Sequence, residues 1–316
     1  MTVLITGLTH PIGQYILERA CAQGLKVKAL AGASGSGRSF HTNGAELVEG
    51  TIEDDAALAA AVRDVEIVYH TAFMAQGALQ DLRRVNAEGT RRLLEACSGD
   101  VRRLVLMGTP SVYASHPTPD TWPVLADAAR EAHGSPQLVA YGASMIEAED
   151  FVIEASERYG MEYTLLRTAT AWGRNPYPQG VVRVLMRNPQ QAEQVNQTLG
   201  PLQWIHAIDA AQAALLAAQA VQARNQAFIV AAEQPMTAFD LLVVLWEITR
   251  PNEDNPFSQA AVAHRLPRSK LDTSKIAQAL GFQPAVLLRR CLEEALGIAE
   301  ITSVSPSSPQ SDATAL

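Results

Sequence analysis

Cysteine is scarce in this chain, with three among 316 residues, Cys21, Cys97 and Cys291. Thiols so far apart fit buried side chains in a reducing compartment, which excludes a disulfide-stapled scaffold and points to the cytoplasm. No grouping of His, Cys, Asp or Glu has metal-ligand spacing, so no metal site is expected. Positive charge is also in deficit: 25 Lys and Arg stand against 33 Asp and Glu, a formal charge of −8. That excludes a nucleic-acid footprint. No apolar run approaches the roughly 18 residues of a membrane helix, and the N-terminus lacks the basic-then-apolar layout of a secretory signal. Neither nucleic acid nor membrane is an expected partner. What remains is an acidic chain, 47% apolar, long enough to bury a full core as one large α/β domain with a second lobe.

The most informative stretch is the first thirteen residues. Val3, Leu4 and Ile5 read as a strand, Gly7 to Gly13 as a glycine turn, and Ile12, Ile16, Leu17, Ala20 and Cys21 as one face of a helix. In a βαβ unit that binds a dinucleotide, this corner sets helix N–H groups and the helix dipole against a pyrophosphate. Here His10 and Pro11 interrupt it. Further strands are expected at Lys26–Ala31, Ala45–Glu49, Glu66–His70, Arg103–Met107 and Glu162–Arg167, and helices at Asp54–Val62, Gln76–Cys97 and from Tyr141 to Tyr159. Such alternation implies right-handed crossovers and a parallel sheet covered on both faces. Gly32 to Ser39 matches a phosphate-loop pattern with arginine for lysine, but the turn-like Phe40–Gly44 follows where a helix would be required. It reads as a connection.

Beyond residue 170 the pattern loosens. Trp172 to Gln203 reads as an irregular insertion, Ala207–Gln222 as an alanine-rich helix, and Phe228–Val230 as a strand returning to the sheet. Helices are expected at Thr237–Thr249, Asp272–Leu280 and Ala285–Leu296, and residues 303–316 as a disordered Ser/Pro/Thr tail.

The ordered landmarks resemble the extended short-chain dehydrogenase/reductase family, the NAD-dependent epimerases and dehydratases. They are Thr6-Gly7 to Gly13, His70-Thr71-Ala72-Phe73, Asn86 to Gly89-Thr90, Thr109 to Val112-Tyr113, Tyr141 to Met145, Leu166-Arg167, Trp204 to Asp209 and Asp272 to Pro284. The resemblance implies a Rossmann-type doubly wound parallel sheet with a smaller C-terminal substrate lobe. Residues 1–170 and a return strand near 204–230 would bind the cofactor; residues 171–203 and 231–300 would choose the substrate. It also implies NAD(P)H as cofactor, Tyr141 as the catalytic acid and Thr109 as the hydroxyl orienting the substrate carbonyl. The cofactor would touch Gly7, His10, Ile12, Gly13, Thr51, Ile52, Thr71, Ala72, Asn86, Tyr141 and Met145. A homodimer through the helices carrying Asn86 and Tyr141 is implied as well, although their Leu93, Leu94, Ile146, Phe151 and Val152 also suit burial inside one chain.

Five departures from the family pattern all touch the cofactor. His10 replaces a glycine, as a cap on the loop or as an acid/base group, and Pro11 lacks an N–H. Gly32 stands where an acid or arginine selects the cofactor, leaving Arg38 to tilt the choice toward NADP. Thr51 replaces an aspartate, and Met145 replaces the lysine that favours the ionised tyrosine. A phenol without that ammonium is a poor base but still a proton donor, which suits reduction better than oxidation. The bulky Phe73 crowds the site further. Three functions follow: reduction of a carbonyl, or epimerase-type chemistry, on a small metabolite with a weakened cofactor grip; a non-redox cyclase, lyase or isomerase that has discarded the dinucleotide; and a catalytically silent binding protein. The substrate segments lack the dense basic set a nucleotide-sugar diphosphate would need, which favours a less charged ligand such as a polyketide, terpenoid or phenolic compound. His70 and His206 are expected to be hydrogen-bonded packing residues.

Overall fold

The computed structural model describes residues 1–32, 43–97, 99, 101–113, 123–132, 135–173, 179–199, 203–233, 235–263, 271–298 and 301. The phosphate-loop-like stretch beyond Gly32, with Arg38, and the 303–316 tail lie outside them. Seven parallel strands form the main sheet: β1 (Thr2–Thr6), β2 (Lys26–Ala31), β3 (Glu46–Glu49), β4 (Ile67–His70), β5 (Arg103–Gly108), β6 (Glu162–Thr168) and β9 (Gln226–Val230). Their spatial order is β3-β2-β1-β4-β5-β6-β9. Chain order therefore reverses beside β1, and the crevice outside the carboxyl ends of β1 and β4 is where doubly wound sheets bind ligands.

Strand residues alternate between two cores. Val3, Ile5, Ile67, Tyr69, Val105 and Met107 face helices α1 (Pro11–Ala22), α8 (Ala207–Gln219) and α9 (Ala238–Thr249). On the opposite side Leu4, Val68, Leu104 and Leu106 meet α2 (Asp55–Ala61), α4 (Gly89–Ala96) and α5 (Pro136–Tyr159). The alanine content of α8 is a close-packing device: Ala207, Ala210, Ala211, Ala213, Ala214, Ala217 and Ala218 are all fully buried, so the helix lies tightly against α1 and the sheet. Arg103, buried on β5, donates to the carbonyls of Ala217, Ala218 and Ala220 at 2.8, 3.0 and 2.8 Å. It satisfies acceptors that the C-terminus of α8 leaves open.

Several boundaries differ from expectation. Helix α5 begins at Pro136, capped by the Ser135 hydroxyl on the Leu138 N–H, so Tyr141 sits in its second turn and does not open it. The helix expected over 76–97 is broken into α3 (Leu79–Leu82), a π-helical turn (Arg83–Glu88) and α4. The supposedly irregular 172–203 insertion contains α6 (Gln179–Arg187) and α7 (Ala192–Leu199). Strand β8 (Trp204–His206) pairs with β7 (Thr170–Trp172) in a separate two-stranded sheet, leaving β9 as the return strand. Three short helices complete the C-terminal part: α10 (Ser258–Ala263), α11 (Ser274–Leu280) and α12 (Leu288–Ala295). Leu93, Leu94 and Val152 are buried within the chain. Among the described residues no helix is long and apolar enough to cross a membrane, and no group of His, Cys, Asp or Glu could hold a metal.

Candidate active site

Close backbone approach builds the glycine corner. Gly7 has φ +78°, and a Cβ there would stand 2.4 Å from the Thr71 carbonyl carbon and 2.5 Å from the Ala72 nitrogen. A Cβ on Gly13 would meet the Gly7 carbonyl oxygen and Thr71 Oγ1 at 2.7 Å. Thr71 closes the corner by donating its hydroxyl to the Thr6 carbonyl at 2.6 Å. Gly7, Gly13, Thr71 and Ala72 thus lie together at the carboxyl ends of β1 and β4. Ile12 is buried in the core, so only its backbone faces the turn. Ile52 is buried against Gly89, where a Cβ would stand 2.9 Å from Ile52 Cγ2. Thr51 is exposed, and its hydroxyl accepts from the Glu53 N–H at 3.3 Å.

His10 caps α1: its Nδ1 accepts from the Ile12 N–H at 3.3 Å. An accepting Nδ1 carries no proton, so the neutral ring has its hydrogen on Nε2. Burial pushes the His10 pKa down to about 4, which keeps this form at neutral pH. The helix N-terminus is consequently half spent as an anion site. Pro11 has no N–H, the Ile12 N–H is capped, and the Gly13 N–H finds no acceptor among the described residues. For a dinucleotide, the glycine corner, its place at the switch point and the open Gly13 N–H fit; the number of phosphate donors is reduced.

His70 lies beneath this corner as a packing residue. Its Nδ1 sits 2.7 Å from Thr6 Oγ1 and its Nε2 3.0 Å from Thr90 Oγ1. Thr90 gives its own hydrogen to the Asn86 carbonyl, so it accepts from His70, and Thr6 must donate. Burial lowers the His70 pKa to about 3. The folded state resists a proton that the unfolded chain accepts, so the stability contribution is complete above pH 6.5 and lost as pH falls toward 3. Urea midpoints should record a loss of about 2 kcal/mol between pH 7 and pH 5 from this residue, and His70→Asn should flatten that slope. A slope unchanged in the variant would contradict the assignment.

At the end of β5, Thr109 caps the Pro110–Val112 turn, its hydroxyl accepting from the Ser111 N–H at 3.2 Å. The same hydroxyl donates to Ser111 Oγ at 3.2 Å. Thr109 has one hydrogen to give, and it goes to Ser111. The Ser111 hydroxyl hydrogen has no acceptor among the described residues, and Ser111 is the more exposed of the two. This serine was not singled out from the sequence, because spacing does not reveal where a hydroxyl hydrogen points. Helix α5 meets this turn at Gly142, where a Cβ would stand 2.2 Å from the Ser111 carbonyl oxygen. Only glycine permits that approach, and it brings the adjoining Tyr141 beside the Thr109–Ser111 turn.

Asn86 is fully buried in the π-helical turn. Its amide accepts from the Met74 N–H and donates to the Met74 carbonyl, both at 2.8 Å, and donates to Ser144 Oγ at 2.9 Å. Ser144 in turn donates to the Tyr141 carbonyl at 2.8 Å. Asn86 therefore braces the loop after β4 and the turn of α5 carrying Tyr141, with both amide hydrogens committed. Phe73 leans on His70, ring centroids 4.7 Å apart, and also packs toward the cluster containing Met145. Met145 itself is fully buried with Val112, Tyr113, Val124, Ala169, Ile229 and Leu271. Lysine there would carry an ammonium into an apolar cluster. Met145→Lys should lower the melting temperature without tightening NADH binding; tighter binding in a fluorescence titration would refute this.

A charged cluster fixes α5 behind the site. Glu149, two turns beyond Tyr141, takes both carboxylate bonds from Arg167 at 2.9 and 2.7 Å and a third from Arg130 at 3.1 Å. Arg167 also donates to the Tyr113 hydroxyl and the Ala126 carbonyl, both at 2.7 Å. Cavities of about 400 and 350 Å³ flank the 125–130 segment, and neither is lined by Thr109 or Tyr141.

Comparison with known proteins places this geometry. A sequence model of the NAD dependent epimerase/dehydratase family matches residues 3–231. Sterol demethylase protein B of Methylococcus capsulatus is 34% identical over 109 residues, 33% of each chain. The dTDP-glucose 4,6-dehydratase of Streptomyces niveus is 26% identical over 217 residues, covering 64% of this chain and 59% of the dehydratase. The aligned part thus spans between a third and three-fifths of these relatives. A short-chain dehydrogenase/reductase superfamily protein from Agrobacterium tumefaciens, solved with bound NAD, superposes with a TM-score of 0.72 over 94% of this chain and 97% of that one at 21% identity. On the family match over residues 3–231, with the seven-stranded parallel sheet in support, this chain belongs to the NAD dependent epimerase/dehydratase family.

Proposed function

We propose that the protein reduces a ketone or aldehyde on a small, weakly charged metabolite, with NAD(P)H as the reductant. When bound, the reduced nicotinamide supplies the hydride, and the substrate carbonyl becomes an alcohol by taking that hydride and one proton. The observation carrying the reading is the contact at Gly142, which sets Tyr141 beside the Thr109–Ser111 turn at the carboxyl edge of the sheet that also holds the glycine corner. Tyr141 gives the proton. Ser111 donates to the carbonyl oxygen, and Thr109 orients it from behind by donating to Ser111. Met145 offers no ammonium to hold a phenolate, which favours proton donation over abstraction.

Gly7, Gly13, Thr71 and Ala72 would hold the pyrophosphate side, Gly13 through its open N–H, with His10 and the Ile12 N–H bordering it. Thr51 and Ile52 would border the adenine side. Asn86 and Met145 act by bracing and packing the Tyr141 helix, and Arg38 would favour NADP. Family membership favours this redox chemistry over a non-redox lyase or a silent binding protein. The substrate lobe is residues 171–203 and 231–300, and the sterol-metabolising relative supports a largely apolar substrate. A cytoplasmic homodimer through the Asn86 and Tyr141 helices completes the reading.

Titration with NADH and NADPH, followed by nicotinamide fluorescence, tests the cofactor. Saturation below millimolar concentration with NADPH the tighter is expected; silence up to millimolar for both defeats the proposal. With a 3-ketosteroid as substrate, Ser111→Ala should lower kcat by about 100-fold, the cost of one donor to a developing oxyanion. Full activity in that variant would return the role to Thr109.

A further inference from the structure

The first turn of α1 follows directly on the glycine corner after β1. A phosphate at this corner would take the N–H groups of the first helical residues. Of these, Pro11 has none and Ile12 already gives its hydrogen to His10 Nδ1 at 3.3 Å. The turn carrying them is fixed from within: Gln14 Nε2 donates to the Leu8 carbonyl at 2.8 Å, and the His10 N–H to the Gly7 carbonyl at 3.0 Å. The loop after β7 lies over the same end, since a Cβ on Gly173 would stand 3.7 Å from Pro11 Cβ. The cap therefore satisfies the Ile12 N–H without an anion and leaves the Gly13 N–H open.

We propose that His10 is an internal surrogate for a phosphate oxygen, so that the dinucleotide is a loosely held, exchanging co-substrate and the reaction is a net reduction. This rests on the cofactor reading above and narrows it. In an epimerisation, hydride leaves a substrate carbon and returns to the same carbon, so the dinucleotide must outlast an oxidised intermediate on the protein. Net reduction has the opposite requirement. Its balance is carbonyl plus NAD(P)H plus one proton giving alcohol plus NAD(P)⁺, and the spent cofactor must leave in every cycle. When a phosphate departs from an uncapped helix, it leaves an N–H unsatisfied, which opposes release. Here His10 takes that N–H back, and departure meets no such opposition. The same exchange weakens binding, because the imidazole must be displaced first.

Three measurements test this. Protein purified and gel-filtered should release less than about one dinucleotide per ten chains on heating, as read by absorbance at 260 nm. His10→Gly, which frees the Ile12 N–H and is tolerated at an N-cap, should tighten NADH binding about tenfold or more by fluorescence titration. His10→Asn, which restores a capping oxygen, should gain less than a third of that. Imidazole ¹⁵N shifts of the free protein should report an unprotonated Nδ1 on His10. Near-stoichiometric dinucleotide in the purified protein, equal tightening by glycine and asparagine, or a protonated Nδ1 each overturns the inference. Wild-type binding with no gain in His10→Gly overturns it while leaving the cofactor reading intact. Failure of every variant to respond to millimolar NADH overturns the cofactor reading and this inference with it.

Discussion

Replacing Arg167 with methionine is expected to lower the free energy of unfolding by about 3–5 kcal/mol, the cost of leaving a buried charge without its partner. Glu149 is completely buried, and both of its oxygens are held by the Arg167 guanidinium. Burial opposes the charge on Arg167, yet the Glu149 carboxylate outweighs it and raises the arginine's pKa. Without Arg167, the carboxylate keeps only Arg130, which is a quarter exposed and shared with Asp150. The Tyr113 hydroxyl and Ala126 carbonyl lose a donor in the same step, and the guanidinium no longer lies 4.9 Å above the Tyr113 ring. Removing both charges should be gentler. In Arg167→Met with Glu149→Leu, no unpaired carboxylate remains, Arg130 retains Asp150, and most of the loss should be recovered. Urea denaturation of the two single variants and the double variant measures this directly. A double variant as unstable as Arg167→Met alone would show that the cost lies in lost packing around Tyr113.

How much of this was legible in the sequence depends on which link one asks about. The parallel sheet was, because Val3–Ile5, Ile67–His70 and Arg103–Met107 are short, buried on both faces and separated by helices, a pattern few other folds share. The start of α5 was not: Pro136 among other prolines reads as loop until its place at the first helical position behind Ser135 is seen. Helices α6 and α7 were hidden by their shortness and by Pro189 between them. Arg103 gave no signal, since only the fold brings the carbonyl end of α8 to it. At the site, spacing drew attention to Gly7, Gly13 and Thr71, which close backbone approach brings together, and to Tyr141, whose neighbour Gly142 packs on the Ser111 carbonyl. It could not reveal that Thr109 spends its hydrogen on Ser111, that His10 spends its lone pair on Ile12, or that Met145 turns into a core. Those outcomes depend on hydrogen-bond accounting and packing, which are properties of neighbours distant in the chain.

Tyr141→Phe is expected to reduce kcat for NAD(P)H-dependent ketone reduction by about 10²–10⁴-fold, the usual contribution of a positioned acid. The fall should appear in kcat with little change in KM, because the phenyl ring still packs against the cluster of Val112 and Met145. The helix should hold its place. Ser144 and Asn86 fix the residue 141 backbone through its carbonyl, and Gly142 fixes it against Ser111, neither of which involves the phenol. Melting temperature therefore separates a lost acid from a lost fold. The direction of reaction sharpens the test. With methionine at 145 there is no ammonium to hold a phenolate, so the wild type should reduce its ketone faster than it oxidises the alcohol at neutral pH. The variant should lose the reduction. If reduction by Tyr141→Phe matched the wild type, the proton would have to come through Ser111 and Thr109, whose hydroxyls already form a chain at the end of β5.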